Sequence, residues 1–62
     1  MKYEYWKSKA NSNWYWHLKA ANGKIIATGG EGYNNKADAL AAIKLVKGSS
    51  DAPENNLTPN ES

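Results

Sequence analysis

Asn22-Gly23 stands between two runs in which apolar and polar residues alternate, Trp14 to Ala20 and Lys24 to Thr28. An Asn-Gly pair accepts the positive φ angles of a two-residue hairpin turn, so the dipeptide sets both a reversal and a register. A type I′ turn there places Ala21 against Lys24, Ala20 against Ile25, Leu18 against Ala27 and Trp16 against Gly29. Side chains alternate across a pleated strand. Trp16, Leu18, Ile25 and Ala27 therefore share one face, and Tyr15, His17, Lys19, Ile26 and Thr28 share the reverse. The first set is the expected core face.

Upstream, Lys2 to Ser8 alternates in the same way, with Tyr3 and Tyr5 on one side and Glu4 and Trp6 on the other, which predicts a first strand. The turn formers of Lys9 to Asn13 end it. Downstream, Gly29, Gly30 and Gly32 break the third strand, and Asn34 or Asn35 can cap a helix by accepting a bond from a first-turn amide. The helix is expected to start near Lys36. Asp38 in its first turn and Lys44 and Lys47 in its last suit the helix dipole, and Gly48 is a C-terminal stop. Ala39, Leu40, Ile43 and Val46 make its apolar stripe, while Ala37, Ala41 and Ala42 let it sit close to the sheet.

Residues 1–48 thus read as one β-β-β-α domain of the α+β class, an antiparallel sheet with one helix on one face. Residues 49–62 hold Pro53, Pro59 and only one large apolar residue, Leu57, so they read as a polar, acidic, mobile tail. A short strand near 54–58 is expected only where a partner offers it a sheet edge. With 62 residues and no cysteine, a core of this size seldom yields more than about 3 to 5 kcal/mol, and pairing with a second copy is the expected remedy.

Charge is divided along the chain. Residues 1–48 carry all eight Lys and three acids, and residues 49–62 carry three acids and no Lys. Lysine attracts a polyanion but lacks the planar fork that reads base edges or clamps phosphate. The absence of cysteine, of an apolar signal segment at Met1 to Lys9, and of a bilayer-length apolar run gives the expectation of a cytoplasmic protein with no membrane contact.

The stretch from Trp14 to Thr28, followed by Glu31-Gly32-Tyr33 and Lys36-Ala37, resembles the YegP-like family of small, functionally uncharacterised bacterial proteins. Leu18 to Gly23 and Gly32 to Ala37 carry its most specific marks, and the likeness covers roughly residues 2–48. The resemblance implies a β-β-β-α-β unit, found as a tandem repeat or as two identical chains. For this single-repeat chain it implies a homodimer whose C-terminal strands are exchanged within one continuous sheet.

No residue pattern indicates catalysis, a cofactor or a metal. His17 is the only histidine, and the sequence gives it no nucleophile or carboxylate partner, with Ser8 and Thr28 the hydroxyls nearest to it on a sheet. Gly29 to Gly32 lacks P-loop spacing and reads as a turn, with Tyr33 anchoring the helix entry. Asn56-Leu57-Thr58 and Asn60-Glu61-Ser62 match the glycosylation sequon and read as chance in an Asn-rich tail. Tyr3, Tyr5, Trp14 and Trp16 supply core mass in a chain without Phe. That leaves Trp6, Tyr15, His17, Lys19 and Ile26 as a candidate binding surface, facing a protein partner or packing a dimer. The alternative is weak stacking of single-stranded nucleic acid on Trp6 and Tyr15, with Lys7, Lys9, Lys19 and Lys24 toward its backbone. An enzyme is not expected.

Overall fold

In the computed structural model, which describes residues 1–29, 32–48 and 50–61, four strands and one helix follow in the order β1 (Lys2–Lys7), β2 (Trp14–Lys19), β3 (Ile25–Thr28), α1 (Lys36–Lys47) and β4 (Glu54–Asn56). The expectations for Gly30 as a strand breaker, Glu31 as a phosphate-loop or family residue, Ser49 as the tail's start and Ser62 in a sequon lie outside the described residues. The strands form one sheet in the order β3-β2-β1-β4. The class is α+β, as the alternation patterns require, but the sheet is mixed. β4 runs parallel to β1, because a helical crossover separates it from β3.

β1 and β2 pair antiparallel, from Lys2 opposite Lys19 to Lys7 opposite Trp14. Their loop is fastened by Ser8 N–H to Asn13 O at 2.8 Å and Ser12 N–H to Ser8 O at 2.9 Å. Ser12 takes φ 63° there, the left-handed conformation a tight reversal demands.

The second hairpin corrects the predicted turn. Gly23 donates to Ala20 O at 3.0 Å, Ala20 donates to Lys24 O at 2.9 Å, and Gly23 has φ 86°. This is the three-residue loop in which a type I turn is closed by a left-handed glycine. It advances the register by one residue, so Lys19 meets Ile25. A bulge then restores the predicted pairing, since Leu18 meets Ala27 and His17 meets Thr28, leaving Ile26 as the extra residue. Ile25, expected in the core, is accordingly 55% exposed, and Ile26 is 54% exposed on the same edge strand.

Asn35 caps α1, its Oδ1 accepting from the Asp38 amide at 2.9 Å, and Gly48 closes the helix with its N–H on Lys44 O. The helix rests on β2 and β1. Its buried Ile43 and partly buried Leu40 pack in one cluster with Tyr3, Tyr5, Trp16, Leu18, Ala27 and Tyr33, and Ala39 is buried as well. Val46, predicted in the same stripe, is 55% exposed. The last turn lies past the strands on which α1 rests and reaches β4 through the side chain of Lys47, whose Nζ lies 2.6 Å from Glu54 Oε2.

The core is aromatic, with tilted pairs Tyr3–Trp16 and Tyr5–Trp14, both at 6.1 Å between centroids. Trp16 covers Gly29 so closely that a Cβ there would overlap the indole. Tyr33 packs against the core as expected, and it also bridges to Trp14 through two backbone hydrogen bonds of 2.7 and 2.9 Å. The region predicted as a mobile tail contributes β4, which pairs with β1 of its own chain. Tyr3 donates to Pro53 O, Leu57 donates to Tyr5 O, and Lys7 N–H donates to Thr58 Oγ1.

Candidate functional site

Helix α1 covers one face of the sheet and leaves the other bare among the described elements. Strand alternation places Lys2, Glu4 and Trp6 of β1 on the bare face, with Tyr15, His17 and Lys19 opposite them on β2 and Thr28 on β3. Asn55 of β4 pairs with Glu4. One row thus runs Asn55, Glu4, His17, Thr28 across all four strands.

Glu4 is the centre of this face. It is only 7% exposed although no helix lies over it, because neighbouring side chains close on it. His17 Nε2 lies 2.7 Å from Oε1, Lys19 Nζ lies 3.4 Å from the same oxygen, and Lys2 Nζ lies 3.6 Å from Oε2. A carboxylate only accepts hydrogen bonds, so the imidazole donates to it from Nε2. Lys2 and Lys19 sit directly opposite one another, an arrangement that repels unless an anion lies between them. Glu4 is that anion. The hydrogen bond with His17 holds its carboxyl below the usual range, burial works against the shift, and Lys19 and then Lys2 reinforce it.

The aromatic part adjoins this hub. Trp6 stacks on Tyr15 with centroids 6.2 Å apart and planes 25° apart, and its ring lies 4.9 Å from that of His17. The Tyr15 hydroxyl accepts from Asn11 Nδ2 at 2.8 Å, which ties the phenol to the β1–β2 loop. Gly32 lies under Asn13 and Tyr15, where a Cβ would crowd both.

Of the five residues predicted as a surface, Trp6, Tyr15, His17 and Lys19 come together. Ile26 does not join the stack. It sits on the β3 bulge at the Lys19 end, while Trp6 and Tyr15 occupy the opposite end of the paired strands. The residue the sequence reading missed is Glu4, the carboxylate partner His17 was thought to lack. Alternation had already put Glu4 on the face of Trp6, but nothing in the loop from Lys9 to Asn13 set the β1–β2 register that aligns Glu4 with His17.

Among the described residues no group of three or more His, Cys, Asp or Glu is placed to hold a metal, and no helix is long and apolar enough to cross a membrane. A depression of about 300 Å³ lies at the far end of the sheet, lined by Met1, Lys2, Ala20, Ala21 and Pro53. It is shallow and shares only Lys2 with the hub.

A family model described as a domain of unknown function, DUF1508, matches residues 9–56. The match takes in β2, β3, α1 and β4, while Glu4 and Trp6 of β1 lie before it. No curated protein and no solved structure matches the chain.

Proposed function

This chain belongs to the DUF1508 family of unknown function, and from the bare face of its sheet we propose that it is a non-enzymatic interaction module that docks a protein partner there. One observation carries the reading: Trp6 is already stacked on Tyr15 and set against His17, whose imidazole is hydrogen-bonded to Glu4, a carboxylate fixed by three neighbours. Large aromatics dominate binding energy at protein interfaces, and rings ordered before binding lose little entropy on docking. The partner meets a half-buried aromatic centre beside the Glu4 cluster, so a partner with apolar side chains fits it best.

The test is capture of partners by the intact chain and by a Trp6→Ala, Tyr15→Ala variant whose fold is checked by circular dichroism. Partners held by the parent should be lost by the folded variant. Retention of every partner overturns the reading.

Single-stranded nucleic acid is the second reading, supported by the same rings beside two lysines. Two features weaken it. One face of Trp6 is taken up by Tyr15, and both Lys2 and Lys19 are paired to Glu4. Quenching of tryptophan fluorescence by oligonucleotide at low salt, relieved by added salt, would favour it over a protein partner.

The module works as a homodimer in this proposal, in keeping with the resemblance to YegP-like proteins. β4 is three residues long and follows a Gly48–Pro53 connection, so a second copy can receive it on β1 with the same register. Exchange of an identical element keeps every contact and replaces an internal one by one between subunits.

A further inference from the structure

Asn22 is the only asparagine in the chain that precedes a glycine, and the hairpin places it for chemistry that its sequence partner allows. Asn22 and Gly23 are both exposed. The Asn22 side chain is folded back over the turn, with Oδ1 accepting from the Lys24 amide at 3.0 Å. An Asx turn of this kind holds the side-chain carbonyl against the backbone of the turn, with a donor on its oxygen. Gly23 has no side chain to stand between Asn22 and the solvent that must supply base and water.

We propose that Asn22 is a site of spontaneous covalent modification by water, in which the folded turn promotes closure to a succinimide. Solvent base removes the Gly23 amide proton, and the nitrogen attacks Cγ of Asn22, forming the C–N bond. The electron pair of the carbonyl moves to Oδ1, where the Lys24 N–H stabilises the oxyanion as a donor aimed at developing charge. Nδ2 then takes a proton from water and leaves as ammonia, breaking the Cγ–Nδ2 bond. Water opens the imide at either carbonyl, giving aspartate or isoaspartate at position 22. The opposing contact is the Gly23 N–H to Ala20 O bond of 3.0 Å, which must open before the proton is lost.

The product differs from the parent in charge and in backbone. A carboxylate appears beside Lys24, and the formal net charge of +2 falls by one. The isoaspartyl form also inserts one extra atom into the main chain inside the loop that closes Ala20 on Lys24. That loosens β3, the edge strand carrying Ile25 and Ile26, and makes position 22 a slow one-way change of the sheet's edge.

The experiment incubates the full chain at neutral and mildly alkaline pH, folded and in urea beyond its unfolding transition, and follows a mass gain of about 1 Da mapped by peptide digestion. The expected result is conversion at Asn22 before any other asparagine, several-fold faster folded than in urea, faster as pH rises, and absent in Asn22→Gln. Conversion first at another asparagine, or none at all in the folded chain, overturns the assignment of the site. A rate in urea equal to or above the folded rate overturns the role given to the turn.

Discussion

Glu4 shows how one side chain can organise a surface that has no second layer over it. Its carboxylate keeps two opposed lysines apart in charge terms and accepts from Nε2 of His17, whose ring in turn flanks Trp6. Its pKa is lowered in the folded chain, so the ionised form is favoured by folding. That contribution is fully present above the ordinary glutamate value of 4.5 and is lost as pH falls through the lower folded value. Glu4→Gln should therefore lower the urea midpoint at neutral pH, where Lys2 and Lys19 are left facing each other. It should also flatten the acid limb of a plot of midpoint against pH. A variant with an acid limb as steep as the parent's would mean that another carboxylate governs it. Gly29 makes the complementary point on the covered face: its missing side chain is what lets the Trp16 indole lie flat across β3.

At the scale of elements, α1 and its ends were readable because each signal was local. Asn35, Asp38, Lys44, Lys47 and Gly48 act within a turn or two of their own positions, and the helix runs over Lys36–Lys47 as expected. The cap is correspondingly separable from the rest of the fold. Asn35→Ala should cost about 1 kcal/mol, read as a lower thermal or urea midpoint. Asn34→Ala at the neighbouring position, which the sequence left as an equal candidate, should leave it unchanged. The hairpin was readable only in part. Asn-Gly fixed where the chain reverses and the pairing of Leu18 with Ala27, but a three-residue loop and a bulge at Ile26 compensate one another, and no single residue type announces such a pair. The bare-face site was legible as a face through alternation and illegible as a cluster, because the β1–β2 register depends on a loop bonded through Ser8, Asn11 and Asn13. The tail was legible only in part for a related reason: the short strand expected near 54–58 forms, but on β1 of its own chain. Glu54, Asn55 and Asn56 are poor strand formers, and their pairing rests on the free edge of β1 and on the Lys47–Glu54 contact, neither of which composition reveals.

For the molecule as a whole, the proposed exchanged-strand dimer is tested most directly by mass in solution. Light scattering at micromolar concentration should give twice the chain's 6.8 kDa. A chain-length deletion of residues after Gly48 should abolish that doubling, whereas a parent of single mass would remove the dimer from the proposal. The parallel pairing of β1 with β4 has a mechanical consequence as well. Because the two strands run the same way, Lys2 leads into one end of the pair and Asn56 leaves from the other. A pull applied through the chain's two ends therefore slides the strands along each other and loads the hydrogen bonds from Tyr3, Leu57 and Lys7 together instead of peeling them one at a time.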